Sequence, residues 1–192
     1  MINLTTPIPE EKIRELNVGD EVSLSGIIVT ARDAAHKLMV EEKPDFIRKY
    51  LEESVIYHCG PVVRNENGQW SFIAAGPTTS AREEPYQSDV ISEYKVRAVI
   101  GKGGMGEKTA EGLKKSGAVY LHAVGGAGSL IAEKVINVKD VFKLEEFGTP
   151  EAFWVIEVKD FPCVVTMDSK GGSLHKEILT KSQQKAKELI GI

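Results

Sequence analysis

Cysteine is almost missing from this chain: Cys59 and Cys163 are the only two in 192 residues. Far apart and in unlike contexts, they predict no disulfide framework and favour a reducing compartment. Two thiols cannot complete a four-thiolate zinc site or hold an iron–sulfur cluster unaided. An excess of positive charge is also lacking. The 24 Lys and Arg stand against 28 Asp and Glu, and the net charge of -4 offers no general attraction for nucleic acid. No apolar run reaches transmembrane length, and Met1 to Pro7 has neither the basic start nor the apolar stretch of a secretory signal. Linkers of low complexity and internal repeats are missing too. The expectation is a single domain over residues 1–192, cytoplasmic, with no membrane and no nucleic-acid partner.

What is present suits a globular core: 42% of residues are hydrophobic and 27% charged. A strand is predicted over Glu21–Thr30 after the Gly19-Asp20 turn, followed by a short polar stretch with Arg32, Asp33 and His36. Pro44 to Glu53 reads as a helix and Val55 to Cys59 as a strand. Asn67-Gly68 predicts a hairpin between Val62-Val63 and Trp70 to Ile73. Helix and strand then alternate: Ser88–Tyr94 helical, Val96–Ile100 extended, Glu107–Ser116 helical, Ala118–Ala123 extended, Ala127–Lys134 helical, Val138–Val141 extended. Two β segments, Phe153–Lys159 and Cys163–Met167, precede a polar helix from Leu174 to Leu189. The fold class expected is α/β, with mixed sheets and flanking helices.

Gly101-Lys-Gly103-Gly-Met-Gly106 matches the G-x-G-x-x-G pattern at a strand-to-helix junction. A dinucleotide site also wants an acidic residue ending the next strand, and Leu121-His-Ala-Val-Gly-Gly126 has none. A phosphate loop of the Walker type fails because Glu107 separates Gly106 from Lys108. Two readings remain. Backbone amides near a helix N-terminus, with Lys102 beside them, favour an anion; alternatively the segment is a tight turn with an exposed lysine.

Gly76-Pro77 stops a strand, and Thr78, Thr79 and Ser80 follow, with Arg82 close behind. Hydroxyls of adjustable direction beside a planar guanidinium fork describe a receptor for a carboxylate. The bland reading is an N-cap by Thr79 or Ser80 on a turn carrying Glu83 and Glu84. A cap leaves Arg82 unexplained, since a cation in a first turn opposes the helix dipole.

These blocks resemble the β subunit of class I, iron–sulfur-dependent fumarate hydratases, which single-chain members carry as a C-terminal domain. The L-tartrate dehydratase β subunit shares the pattern. The resemblance covers Thr5-Thr-Pro7, Thr30 to His36, His58-Cys-Gly-Pro61, Gly76 to Arg82, Gly101 to Gly106, Gly125-Gly-Ala127 and Phe147 to Trp154, ending near Lys170-Gly171. It implies a swivelling β/β/α domain and reversible hydration of fumarate to (S)-malate. It also implies a partner: an iron–sulfur α subunit, two of each in the assembly, whose three cysteines hold the [4Fe-4S] cluster. No cofactor or metal is expected on this chain. By the same resemblance Arg32, Thr79, Arg82 and Lys102 bind the small dicarboxylate substrate, and Thr78 is the base beside its distal carboxylate. A threonine hydroxyl is a poor base unless neighbouring cations lower its pKa. L-tartrate is the rival substrate; a non-catalytic anion- or nucleotide-binding module is the rival class.

Other polar residues carry structural expectations. His58 and Cys59 are neighbours on a strand and face opposite ways, so the thiol packs and the imidazole finds a hydrogen bond. Asp33 and His36 either support Arg32 or are solvated. His122 ends a strand, Phe153-Trp154 packs in the core or at a subunit interface, and Lys181, Lys185 and Lys187 form a wet helix face.

Overall fold

Residues 1–191 are described by a computed structural model. In chain order the elements are β1 (Ile2–Thr5), α1 (Glu10–Glu15), β2 (Glu21–Thr30), α2 (Asp33–Glu41), α3 (Asp45–Leu51), β3 (Val55–Tyr57), β4 (Val62–Glu66) and β5 (Gln69–Ala74). A single 3-10 turn, Ser80–Arg82, leads to α4 (Gln87–Tyr94), β6 (Ala98–Gly101), α5 (Glu107–Ser116), β7 (Val119–His122), α6 (Gly128–Ala132), β8 (Val135–Phe142), α7 (Leu144–Phe147), β9 (Phe153–Met167) and α8 (Leu174–Ile190). The α/β class and its mixed sheet with flanking helices are as expected.

One seven-stranded sheet runs β1-β2-β3-β6-β7-β9-β8, and β9 also pairs with β2. That extra pairing closes β2, β3, β6, β7 and β9 into a ring, with no free edge among them. Four of these strands, β2, β3, β6 and β7, lie parallel, while β9 runs antiparallel to both β2 and β7. Alternation then sorts the core. Leu24, Ile28, Tyr57, Ile100, Leu121, Trp154 and Phe161 share one buried cluster. Val29, Ile56, Val99, Tyr120 and Val155 point the other way, under Met39, Ile47, Ile91 and Leu113 of the helices. The β4–β5 hairpin turns at Asn67 and Gly68, both with positive φ, and its Trp70 and Phe72 rings meet Trp154.

Two expectations change. The polar stretch after β2 is the helix α2, whose Ala35, His36, Leu38 and Met39 are buried on one face. The two β segments near the C-terminus are one strand, β9, continuous through Asp160 at φ 52. Ser25 Oγ accepts the Asp160 N–H at 3.0 Å there, and the β2–β9 register shifts between Leu24 and Gly26. This bulge lets the first half of β9 pair with β8 and the second half with β7.

Candidate functional site

The parallel strands β2, β3, β6 and β7 end on the same side, and the segments just beyond their carboxyl ends make a rim, the usual place for ligands in such sheets. Residues 77–80 thread along it between β3 and β6. Thr78 N donates to His58 O at 2.8 Å, Lys102 N donates to Thr78 O at 3.2 Å and Ser80 N donates to Lys102 O at 3.0 Å. A side chain at Gly101 would meet Ser80 Oγ at 1.9 Å, so only glycine admits this close passage. Thr78, Thr79 and Lys102 are thereby set side by side, with the Lys102 stem running past Gly125.

The two arginines reach the same rim from the start of α2 and from the 3-10 turn. Arg32 follows β2 and pairs with Glu151 at 3.2 Å, in space left by the missing side chain of Gly60. Glu151 also accepts the Ala34 N–H at 3.1 Å, so one carboxylate both caps α2 and holds Arg32. Arg82 forms an ion pair with Asp33, the residue after Arg32, and its own N–H bonds Thr79 O. All five predicted residues thus share one rim. Thr78 Oγ1 and Arg32 Nε are buried there without hydrogen-bond partners, the condition expected of groups awaiting a ligand. The rim is open at Arg82, whose side chain is more than half exposed; the cleft lined by Met39 to Glu93 lies elsewhere, and the one lined by Gly103 to Ser182 borders the rim at the glycine loop.

Beneath it lies a buried polar network. His36 Nδ1 is 2.9 Å from Arg32 O, and the Nε2 atoms of His36 and His58 stand 3.0 and 2.7 Å from Gln87 Oε1. His58 Nδ1 reaches Ser80 Oγ at 2.8 Å, which reaches the Tyr120 hydroxyl at 2.8 Å. Burial keeps both imidazoles neutral by lowering their pKa values, His58 well below the usual range with His36 adding to the effect. A carbonyl can only accept, so neutral His36 carries its proton on Nδ1 and presents a bare Nε2. A half-turn of the Gln87 amide, which exchanges its oxygen and nitrogen, gives each ring an N–H. His58 then donates from Nδ1 to Ser80. Neither Thr79 nor Ser80 caps the turn with its side chain; Ser80 is committed to the network, and His36 is buried rather than solvated.

At the end of the glycine loop the start of α5 is already engaged: Glu84 accepts from Gly106 N at 2.7 Å, Thr109 N at 3.1 Å and Thr109 Oγ1 at 2.7 Å. An internal carboxylate already occupies the N-terminus of α5, which leaves little for a nucleotide phosphate. Cys59 and Cys163 are buried, and burial pushes both thiols up to about 12. Protonated and embedded in the core, they do not fit an iron–sulfur cluster. Among the described residues no three His, Cys, Asp or Glu gather as a metal site. Phe153 and Trp154 are core residues, and His122 ends β7.

Sequence reasoning missed Glu83, Gln87 and Glu151. Glu83 is fully buried with both carboxyl oxygens unpartnered, and burial first, then Asp33, pushes its carboxyl up to about 8. Only its neighbour Arg82 hinted at it, because nothing in the sequence separates it from the solvent-side Glu84.

The sequence pattern of the family described as Fumarase C-terminus matches residues 1–178. A protein of Geobacillus stearothermophilus provisionally named fumarate hydratase class I is 53% identical over 186 residues, covering 96% of this chain and 35% of its own. The chain therefore spans about a third of that relative. A protein of Methanocaldococcus jannaschii, provisionally named L(+)-tartrate dehydratase subunit beta, is 41% identical over 96% of both chains. The L(+)-tartrate dehydratase subunit beta of Escherichia coli is 39% identical over 91% of this chain and 86% of its own.

Proposed function

The chain belongs to the Fumarase C-terminus family, and from that membership we propose that it is the β part of a hydro-lyase that hydrates fumarate to (S)-malate and reverses that reaction. The observation that carries the reading is the orphaned Thr78 hydroxyl on a rim shared by Arg32, Arg82 and Lys102. Two carboxylates taken out of water need paired positive charges, and three cations on one rim supply them. Thr79 adds a hydroxyl to the same grip.

In the dehydration direction a proton must leave the carbon beside the distal carboxylate. Negative charge then builds on that carboxylate, where Arg and Lys donors stabilise it most. Thr78 is the hydroxyl proposed to take this proton, with the surrounding cations favouring its ionised form. A [4Fe-4S] cluster finds no suitable ligands here, so it is assigned to an iron–sulfur α subunit in an assembly of two α and two β chains. The open rim supports that assignment, because a second surface laid across it would exclude water. Most of the Geobacillus relative lies outside the matched part, which leaves room for such an element in one polypeptide.

L-tartrate is the second reading, supported by the two relatives of similar length that carry its name. Anaerobic reconstitution with the iron-loaded partner decides. Fumarate hydration at least roughly tenfold more efficient than L-tartrate dehydration bears out the first reading. The reverse order establishes the second, and turnover of neither substrate overturns both.

A further inference from the structure

Asp33 uses only half of its carboxylate to hold Arg82: Oδ2 makes the ion pair, while Oδ1 is buried and unpartnered. Glu83, next to Arg82 in the chain, is also fully buried and has no partner for either oxygen. Other groups facing it are already engaged or neutral. His58 Nδ1 lies 4.0 Å from Glu83 Oε2 but is bonded to Ser80. The Tyr120 hydroxyl is bonded to Ser80 as well and is held protonated by burial. His36, behind His58, is neutral. Arg82 supplies the remaining charge, and Asp33 already pairs with it. Two acceptor-only carboxylates with nothing to donate between them are costly when buried, whereas a single proton shared across the pair satisfies both.

We propose that Glu83 is a positioning residue for substrate binding: it carries a proton, donates it as a hydrogen bond to Asp33 Oδ1, and so fixes the carboxylate that holds Arg82 at the rim. The inference rests on the proposed function, in which Arg82 grips a substrate carboxylate. Its elevated pKa, about 8, agrees with this placement, since burial and the Asp33 charge both favour the neutral acid. Below that pH Arg82 faces one negative charge and keeps donors free for substrate. Above it, Asp33 and Glu83 are both ionised, and together they draw the guanidinium inward. Substrate affinity then falls, and Arg82 gives less support to the charge that builds during turnover.

The test is the pH dependence of KM in the reconstituted complex from about pH 6 to about pH 10, for the wild type and Glu83→Gln. The wild type is expected to show KM rising roughly fivefold as Glu83 ionises, with kcat falling alongside it as Arg82 withdraws. Glu83→Gln keeps an N–H donor for Asp33 and cannot ionise, so its KM stays low across the range. Asp33→Asn, which loses the ion pair, has a raised KM at every pH and no step. A wild-type alkaline step that persists in Glu83→Gln overturns the proposal, as does a flat wild-type profile.

A second readout needs no partner. Infrared spectra of the isolated chain, with glutamate isotopically labelled, should show a protonated carboxyl band near neutral pH that vanishes above about pH 9. The band must also be missing from Glu83→Gln. Its absence from the wild type overturns the proposal even if the enzyme is active. A complex that turns over no dicarboxylate, with the band present, instead defeats the functional reading on which Arg82's role depends.

Discussion

Glu83 and Glu84 are adjacent and identical in chemistry, yet one is buried without a partner and the other caps a helix. The buried one costs stability in a predictable pH window. Its folded pKa, about 8, lies above the ordinary value of 4.5. The unfolded chain therefore sheds this proton first, and stability falls between those two values as pH rises. Glu83→Gln removes that loss, so the variant should be more stable than wild type by up to about 3 kcal/mol at neutral pH and equal to it below about pH 4. Urea melts at the two pH values check this. His36 and His58 act at the acid end. Their lowered pKa values make the unfolded chain the better proton binder below about 6.5, so stability is lost as pH falls through that range. The hydroxyls beside Arg82, and Lys102 in the glycine loop, stood out in the sequence because their chemistry and grouping suggest an anion receptor, whereas Arg32 was named only by the family resemblance. Glu83, Gln87 and Glu151 were not, because their importance comes from which way each side chain points after folding.

At the scale of the element, α5 depends on a carboxylate from outside itself. Gly106, its N-cap, supplies no side chain, and Glu84 meets the amides instead. Glu84→Ala should cost about 1–2 kcal/mol and speed hydrogen exchange at Gly106 and Thr109. Wild-type exchange rates in the variant would mean that α5 does not rely on this cap. Gly101→Ala is expected to be harsher, costing at least about 2 kcal/mol by thermal melting, because the added methyl collides with Ser80 in a packed interior. Most strands and helices were readable from alternation and turn residues, and the Asn67-Gly68 hairpin most plainly. The helix α2 escaped because Asp33, His36 and Lys37 mask the apolar face formed by Ala35, Leu38 and Met39. The continuity of β9 escaped because Asp160 and Pro162 look like a break after Lys159, whereas Ser25 holds Asp160 in a bulge.

For the whole molecule, closure of the sheet through the β2–β9 pairing is what brings distant segments to one rim. That pairing joins residues more than a hundred positions apart, and no local pattern encodes it. The last helix, α8, lies outside this logic. It buries no residue and exposes Ile178, Leu179, Leu189 and Ile190. Its first turn is tied down through His175, which bonds Thr166 and meets Tyr120, so ending the chain after Ile178 should change unfolding free energy by less than about 1 kcal/mol, since the exposed remainder buries nothing. A larger loss, measured by denaturant titration, would show that α8 supports the fold. No helix among the described residues is long and apolar enough to cross a membrane.

In the proposed reaction the rim grips both ends of a dicarboxylate, and the kinetics of Arg82→Ala and Lys102→Ala in the reconstituted complex decide whether it does. Each variant should lose about a hundredfold or more in kcat/KM for fumarate while folding and assembling as wild type does. Wild-type kcat/KM in either variant would contradict the account.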